Sequence, residues 1–385
     1  NLLKHRGPDS TNCLKINKLL LGHTKLSIID QKYSNQPMIS DDGNILVFNG
    51  EILNFKELKK KYFNNLKFNS KGDTEVLLKG LEYKGIDFLK EVRGFFAFAF
   101  LNKKKNEIII GRDFFGIKPM YYHKDNNNFV FCSEISPILS FKKFKPNLTK
   151  KVLFEYLSRS APPYLETFYK NIYEVEPGTI LKVKLNNLEI QKIKYYNIET
   201  AWKANQNRKN KKKSLKKINQ IFLNNLKRYL IADVKKGVTL SQGIDSSLIY
   251  YKIYKNFDKK INTLTYKNDF DYSEDLNVKN FLKNINDNKK LNKNNFFKKV
   301  SRKNIIKKLK KGIVDFPINY QFAFSMCELY RLSKKKKIKV LYTGQGSDEI
   351  FAGYDRYYYL LDLKQRDNVN IFYGSGFKNI NIVEK

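Results

Sequence analysis

Two short runs in the C-terminal half combine glycines, hydroxyls and acids in a way that bears on chemistry. The first is Gly237-Val-Thr-Leu-Ser-Gln-Gly-Ile-Asp-Ser-Ser247. Its apolar strand pattern ends at Leu240, and Ser241, Gly243, Asp245, Ser246 and Ser247 then lead into a helical pattern. Backbone N–H groups and hydroxyls at such a junction make a phosphate cradle, helped by the positive helix N-terminus. An acid inside an anion site needs a reason, and a magnesium ion bridging Asp245 to phosphate oxygens supplies one. An ordinary strand-to-helix turn with an Asp or Ser cap accounts for this loop equally well. The second run, Lys339-Val-Leu-Tyr-Thr-Gly-Gln-Gly-Ser-Asp-Glu349, again leaves a strand, passes Thr343 and Gly344, and ends in adjacent acids. Ligands of open α/β sheets sit beyond the carboxyl ends of the strands. The two loops are therefore expected to face one crevice, with Asp245 and Asp348 sharing one metal, and the capped-turn alternative now needs two coincidences.

The surrounding periodicities say what must position these loops. From Lys18 to Ser133 the chain reads as short strands, with an Asp42-Gly43 hairpin signal and a strand from Ile45 to Phe48. Helical spacing over Leu53–Leu66 and Asp73–Tyr83 interrupts them. Phe95–Leu101 and Glu107–Gly111 are expected to be buried strands, and Phe114–Tyr122 and Asn128–Ser133 continue the strand texture. The polar stretch 197–213 has no apolar period and reads as a linker. After it, Ser214 could cap a helix carrying Leu215, Ile218, Phe222, Leu226 and Tyr229. Strands at Gly237–Leu240, Ile261–Tyr266 and Ile338–Tyr342, separated by helical segments, argue a parallel α/β sheet. The expected domains are thus 1–196, β-rich, and 214–385, α/β.

Composition narrows the function classes. Over 385 residues, 42% hydrophobic and 14% aromatic content supplies real cores, so disorder is not the dominant state. No apolar run reaches the roughly 18 residues a membrane span needs. The net charge of +37 suggests nucleic acid, yet only ten of 74 basic residues are arginine and the lysines are spread along the chain. That reads as solvated faces and non-specific adhesion to polyanions, with no specific nucleic-acid partner. Three cysteines (Cys13, Cys132, Cys327) and three histidines give neither a disulfide framework nor a zinc pattern, and the start is no signal peptide. A reducing, cytoplasmic setting is expected. Cys13 reads as a small buried hydrophobe, and His23 as a packing or surface residue.

With these residues in view, a resemblance can be stated. The first loop resembles the Ser-Gly-Gly-x-Asp-Ser-Ser motif of the N-type ATP pyrophosphatases, and the second their Gly-x-Gly-x-Asp-Glu loop followed by Gly353-Tyr354. In the first half, His5-Arg-Gly-Pro-Asp9, Leu26-Ser-Ile-Ile-Asp30, Gln36-Pro37, Asn49-Gly-Glu51, Asp73-Thr-Glu75, Arg112-Asp113, Gly116-Ile-Lys-Pro119 and Ser133-Glu134 recur in the order of class II glutamine amidotransferases. Together the chain resembles the glutamine-hydrolysing asparagine synthetases. The resemblance implies an α+β N-terminal domain, an Ntn-type αββα sandwich, that hydrolyses glutamine. There Asn49 and Gly50 would form the oxyanion hole, Glu51 and Asp73 would hold the α-amino group, and Lys25 would face the α-carboxylate. It implies a following α/β domain of ATP pyrophosphatase type that binds Mg-ATP, with Leu240, Ser241, Tyr266 and Gly344 around the nucleotide. Aspartate, or another small carboxylate, would be adenylated and then trapped by ammonia. A homodimer is compatible with this reading.

The resemblance also marks departures. The family's N-terminal cysteine nucleophile does not appear, nor a later Arg-x-Pro-Phe-Leu-Asp segment, so a fragment of a longer protein is expected. Lys25 stands in place of an arginine, a point charge where a planar fork would clamp a carboxylate. Gln242 stands in place of a glycine, which costs energy if that backbone is left-handed or approaches phosphate closely. Gln345 stands where many members carry a glutamate linked to adenylate formation. It keeps open a different acceptor, such as a sugar acid, and Gln242 with Lys25 keeps open a non-catalytic homologue.

Overall fold

The structure, a computed structural model, describes residues 2–141, 145–159, 164–203, 211–268, 275–286, 290–300 and 321–354. It divides into two compact units, Asn1–Val152 with Pro163–Asp233, and Leu153–Pro162 with Val234–Lys385.

In the N-terminal unit, strands β1 (Ser10–Ile16) and β2 (Leu19–Lys25) form an antiparallel hairpin. Strands β3 (Met38–Ile39) and β4 (Ile45–Ile52) close around the expected Asp42-Gly43 turn. Helices α1 (Phe55–Tyr62) and α2 (Asp73–Lys84) follow, then β5 (Gly94–Asn102) and β6 (Glu107–Arg112). Next come β7 (Tyr121–Lys124), β8 (Phe129–Cys132), α3 (Ile135–Leu139) and β9 (Ile172–Glu174), while α4 (Lys150–Arg159), between α3 and β9 in sequence, belongs from Leu153 onward to the other unit. The unit continues with β10 (Thr179–Lys184), β11 (Ile190–Lys194), α5 (Ile198–Lys203) and α6 (Lys211–Tyr229).

The order β11-β10-β6-β5-β4-β3 makes one six-stranded antiparallel sheet, and β8-β7-β9 a smaller one. Period-two alternation gives the large sheet two apolar faces. Leu46, Phe48, Phe96 and Phe98 pack with Leu58, Val76, Leu77 and Phe88 of the helical layer. Ile45, Val47, Ala97 and Ala99 pack with Leu21, Met120 and Val175 on the side of the smaller sheets. With α3 against β7 and β8, the unit is the expected sandwich of antiparallel sheets between helices.

Three local expectations change. Residues 114–120 are a loop, because the Asp113 carboxylate takes the N–H groups of Phe115, Ile117 and Lys118, which a ladder would need. Within 197–213, α5 occupies the first residues, α6 begins at Lys211, and residues 204–210 lie outside the described ones. Cys13 is exposed, since the β1–β2 hairpin has a solvent face.

In the C-terminal unit, β12 (Lys235–Thr239), α7 (Ile244–Asn256), β13 (Asn262–Asn268), α8 (Asp275–Ile285) and β14 (Asn295–Val300) alternate. They are followed by α9 (Gln321–Lys335), β15 (Ile338–Tyr342) and α10 (Ser347–Phe351). All strand pairs in this sheet are parallel, in the order β14-β13-β12-β15. The chain runs outward from β12 to β14 and then returns to place β15 on the other side of β12. The crevice at such a reversal is where doubly wound sheets take ligands. Among the described residues no helix is long and apolar enough to cross a membrane.

Candidate functional sites

The N-terminal unit contains a cavity of about 370 Å³ lined by Lys25, Asn49, Gly50, Glu51, Asp73 and Lys118, among others. All five residues expected at a glutamine site are therefore brought together. Asn49, Gly50 and Glu51 lie near the end of β4, just before its final Ile52, while Asp73 begins α2 and Lys25 ends β2. Gly50 has φ +154°, and a Cβ there would meet the Phe95 carbonyl oxygen at 2.1 Å. Only glycine fits so tight a backbone approach. The Asn49 Nδ2 is buried with no hydrogen-bond partner among the described residues. A buried amide donor left open in this way is a group that an incoming oxygen would satisfy.

The acids are held differently from one another. Asp73 Oδ2 accepts the Ile52 N–H at 2.8 Å, and burial raises its pKa to about 6 against that bond and those from its own helix turn. Burial raises Glu51 to about 7, the Asp73 charge adds to this, and Lys118 opposes it. Two raised acids side by side suit a ligand ammonium, whose arrival favours ionising both. Glu75 serves the scaffold instead, accepting from Asn69 N at 3.0 Å and from Ser70 N at 2.6 Å. The Lys25 ammonium donates to the Gln31 carbonyl at 2.9 Å and to Asn35 Oδ1 at 3.3 Å, and burial lowers its pKa against the pull of Asp30 and Asp9.

Three lining residues stood outside the sequence expectations. His23 is pushed down to about 4 by burial, against a hydrogen bond to the Phe48 backbone, so its ring is neutral. Cys132 also lines the cavity, but burial raises its thiol and keeps it a weak nucleophile. Lys118 is set by the Arg112-Asp113 pair. Asp113, 1% exposed, accepts from the N–H groups of Phe96, Phe115, Ile117 and Lys118 at 3.0–3.1 Å. Arg112 donates to the carbonyls of Gly116, Lys118 and Val175. At the start of the chain, His5 and Arg6 both reach Glu134 Oε1, at 2.8 and 3.1 Å, tying two distant motifs together.

In the C-terminal unit the two predicted loops meet at the end of the sheet. A Cβ on Gly344 would stand 2.9 Å from the Asp245 Cβ and 3.1 Å from the Ser246 N. The absence of a side chain at 344 is what allows the contact. Ser241 and Ser246 hydroxyls lie 2.9 Å apart, Ser246 Oγ accepts from Ser241 N at 3.1 Å, and Ser241 Oγ accepts from Gly243 N at 3.2 Å. Ser247 N donates to the Gly243 carbonyl at 3.2 Å, starting α7. Leu240 is buried and its carbonyl accepts from Thr265 Oγ1 at 2.8 Å. Tyr266 packs on the Leu264, Leu329 and Ile338 core, Thr343 is half-buried, and Gln345 is exposed.

Burial raises the Asp245 pKa, and the charge of Asp348 raises it further. The two carboxylates thus sense each other. Among the described residues no third His, Cys, Asp or Glu joins them. Two hard oxygen donors fit a magnesium ion that takes its other ligands from phosphate and water. The backbone of Gln242 does not adopt positive φ, so the expected strain is not present there. Its side-chain oxygen accepts from Asn277 Nδ2 at 2.8 Å.

Comparison with known proteins supplies an independent line. The sequence profile of the glutamine amidotransferase domain matches residues 1–196, and that of asparagine synthase matches 217–373. A putative glutamine-hydrolysing asparagine synthetase 2 of Methanocaldococcus jannaschii is 31% identical, over 91% of this chain and 71% of its own. The glutamine-hydrolysing asparagine synthetase 2 of Bacillus subtilis is 29% identical, over 91% of this chain and 48% of its own. An amidase, chyE, of Penicillium rubens is 26% identical, over 93% and 54%. The chain thus spans about half the length of two of these three relatives.

Proposed function

Because the chain belongs to the family of glutamine-hydrolysing asparagine synthetases, we propose a glutamine-dependent, amide-forming ligase whose acceptor is aspartate. The cavity that gathers Lys25, Asn49, Gly50, Glu51 and Asp73 is the observation that supports this reading most directly. In it, Glu51 and Asp73 hold the α-ammonium of glutamine, and Lys25 the α-carboxylate. The open Nδ2 of Asn49 and the Gly50 N–H take the carboxamide oxygen as negative charge develops on it, the differential stabilisation that speeds acyl transfer.

At the C-terminal end of the parallel sheet, Ser241, Gly243, Ser246 and Ser247 hold the departing pyrophosphate of ATP. Leu240, Tyr266, Thr343 and Gly344 border the nucleotide. Asp245 and Asp348 would hold magnesium, which supplies charge neutralisation between phosphate oxygens. A carboxylate oxygen of the acceptor attacks the α-phosphorus, pyrophosphate leaves, and ammonia displaces AMP to give the amide. Asp348 and Gln345 lie on the acceptor side of this site.

The neutral, exposed Gln345 supports a second acceptor reading, an alternative small carboxylate such as a sugar acid. The test is pyrophosphate release from ATP by the full-length protein with glutamine and each candidate acceptor. Release with aspartate, and asparagine as product, is the expected result. Release with a uronic acid but not with aspartate overturns the acceptor, and no release with any carboxylate from a folded protein overturns the ligase.

A further inference from the structure

We propose that Lys118 is a second binding cation for the α-carboxylate of the amino acid held in the N-terminal cavity. The inference rests on reading that cavity as a glutamine site. A free amino acid carries both charges on one carbon, so a site that places acids against the ammonium must place cations nearby for the carboxylate. Three cations line this cavity: Arg6, Lys25 and Lys118. Arg6 is engaged with Glu134 at 3.1 Å. Lys25 has three ammonium donors, and two of them already serve Gln31 and Asn35. One donor from Lys25 cannot satisfy two carboxylate oxygens.

Lys118 is placed to supply the remainder. Its backbone is fixed on both sides, the N–H by Asp113 Oδ2 at 3.0 Å and the carbonyl by Arg112 Nε at 2.8 Å. Its ammonium lies 5.2 Å from the centre of the Phe95 ring, and Phe95 is the cross-strand partner of Glu51. Lys118 is therefore carried to the acid end of the cavity. Among the described residues its ammonium makes no hydrogen bond or ion pair. Burial lowers its pKa, the Arg6 charge adds to this, and Glu51 and Asp113 oppose it. A half-buried cation with an aromatic face beside it but no hydrogen-bond acceptor is costly, and an incoming carboxylate removes that cost. Two lysines from different loops would then each meet one oxygen, which a single point charge cannot do.

The experiment is a ligand-truncation cycle read by calorimetry on the full chain, comparing glutamine with 4-aminobutanamide, which lacks only the α-carboxylate. In the unaltered protein glutamine should bind roughly ten- to hundredfold tighter than the truncated ligand. In Lys118→Met, and independently in Lys118→Gln, glutamine should weaken by about tenfold while the truncated ligand is unchanged. Lys118→Arg should recover most of the difference. Equal loss for both ligands, or no loss for glutamine in either variant, overturns the role of Lys118. Binding of neither ligand to the unaltered protein overturns the glutamine reading of the cavity.

Discussion

The Ile52 N–H donates to Asp73 Oδ2 at 2.8 Å, and this bond ties the first residue of α2 to the last residue of β4, the strand that carries Asn49, Gly50 and Glu51. One carboxylate thus sets the geometry of a site and supplies part of its charge. Asp73→Asn should separate the two roles. It keeps an acceptor for Ile52, so stability to urea should change by about 1 kcal/mol or less, whereas glutamine affinity should fall by roughly tenfold or more. Asp73→Ala should lose both, with a further destabilisation of about 1–3 kcal/mol.

The raised acids predict a pH dependence of definite sign. Glu51 and Asp73 sit near 7 and 6 in the fold, above their ordinary values of 4.5 and 3.8. Between those limits the folded chain binds more protons than the unfolded one, so the stability of the ligand-free protein should fall as pH rises from about 4 to about 7. Glutamine affinity should rise over the upper part of the same window, because the ammonium needs ionised acids. Thermal unfolding and calorimetric titration at pH 5, 6, 7 and 8 check both slopes. Glu51→Gln should flatten them and raise the melting temperature at pH 8.

Asp113 is the structural centre of the 114–118 loop. Its carboxylate satisfies four N–H groups and is 1% exposed. Asp113→Ala should destabilise the N-terminal unit by about 2 kcal/mol or more, since it strands one buried and three part-buried donors. Denaturant titration followed by aromatic fluorescence measures this directly, and an effect below about 1 kcal/mol would contradict the hydrogen-bond account.

In the C-terminal unit, Gly344→Ala tests the contact between the two loops. The new methyl would press on the Asp245 Cβ at 2.9 Å. ATP affinity should fall by about tenfold, with glutamine affinity unchanged, because rigid backbone cannot yield as a flexible side chain does. Gln242→Gly should shift ATP affinity by less than about threefold, since the backbone there carries no left-handed strain and an exposed hydrogen bond contributes little.

Much of this was legible in the chain because the relevant signals are local. The strand-to-helix loops at Ser241 and Thr343 announce themselves by glycine, serine and aspartate placed right after apolar runs. Asp42-Gly43 fixes its hairpin by turn geometry alone. Residues 114–120 misled because their aromatic texture matches a strand, while a single upstream carboxylate claims their N–H groups. Cys13 misled because the solvent face of a two-stranded hairpin cannot be told from a buried face by one residue type. Lys118 was invisible as a site residue. It is the tail of a Gly-Ile-Lys-Pro run, and only the cross-strand pairing of Phe95 with Glu51 brings it near the acids. The link from His5 to Glu134 spans 129 positions and has no local signature.

The serine loop of the C-terminal unit carries one more consequence. With Ser241 and Ser246 hydrogen-bonded to each other and to the loop backbone, the loop satisfies its own hydroxyls. An anion taken up here would exchange internal hydrogen bonds for new ones, so the net gain per bond would be small. On the proposed reading, such a loop would place a pyrophosphate without holding it tightly.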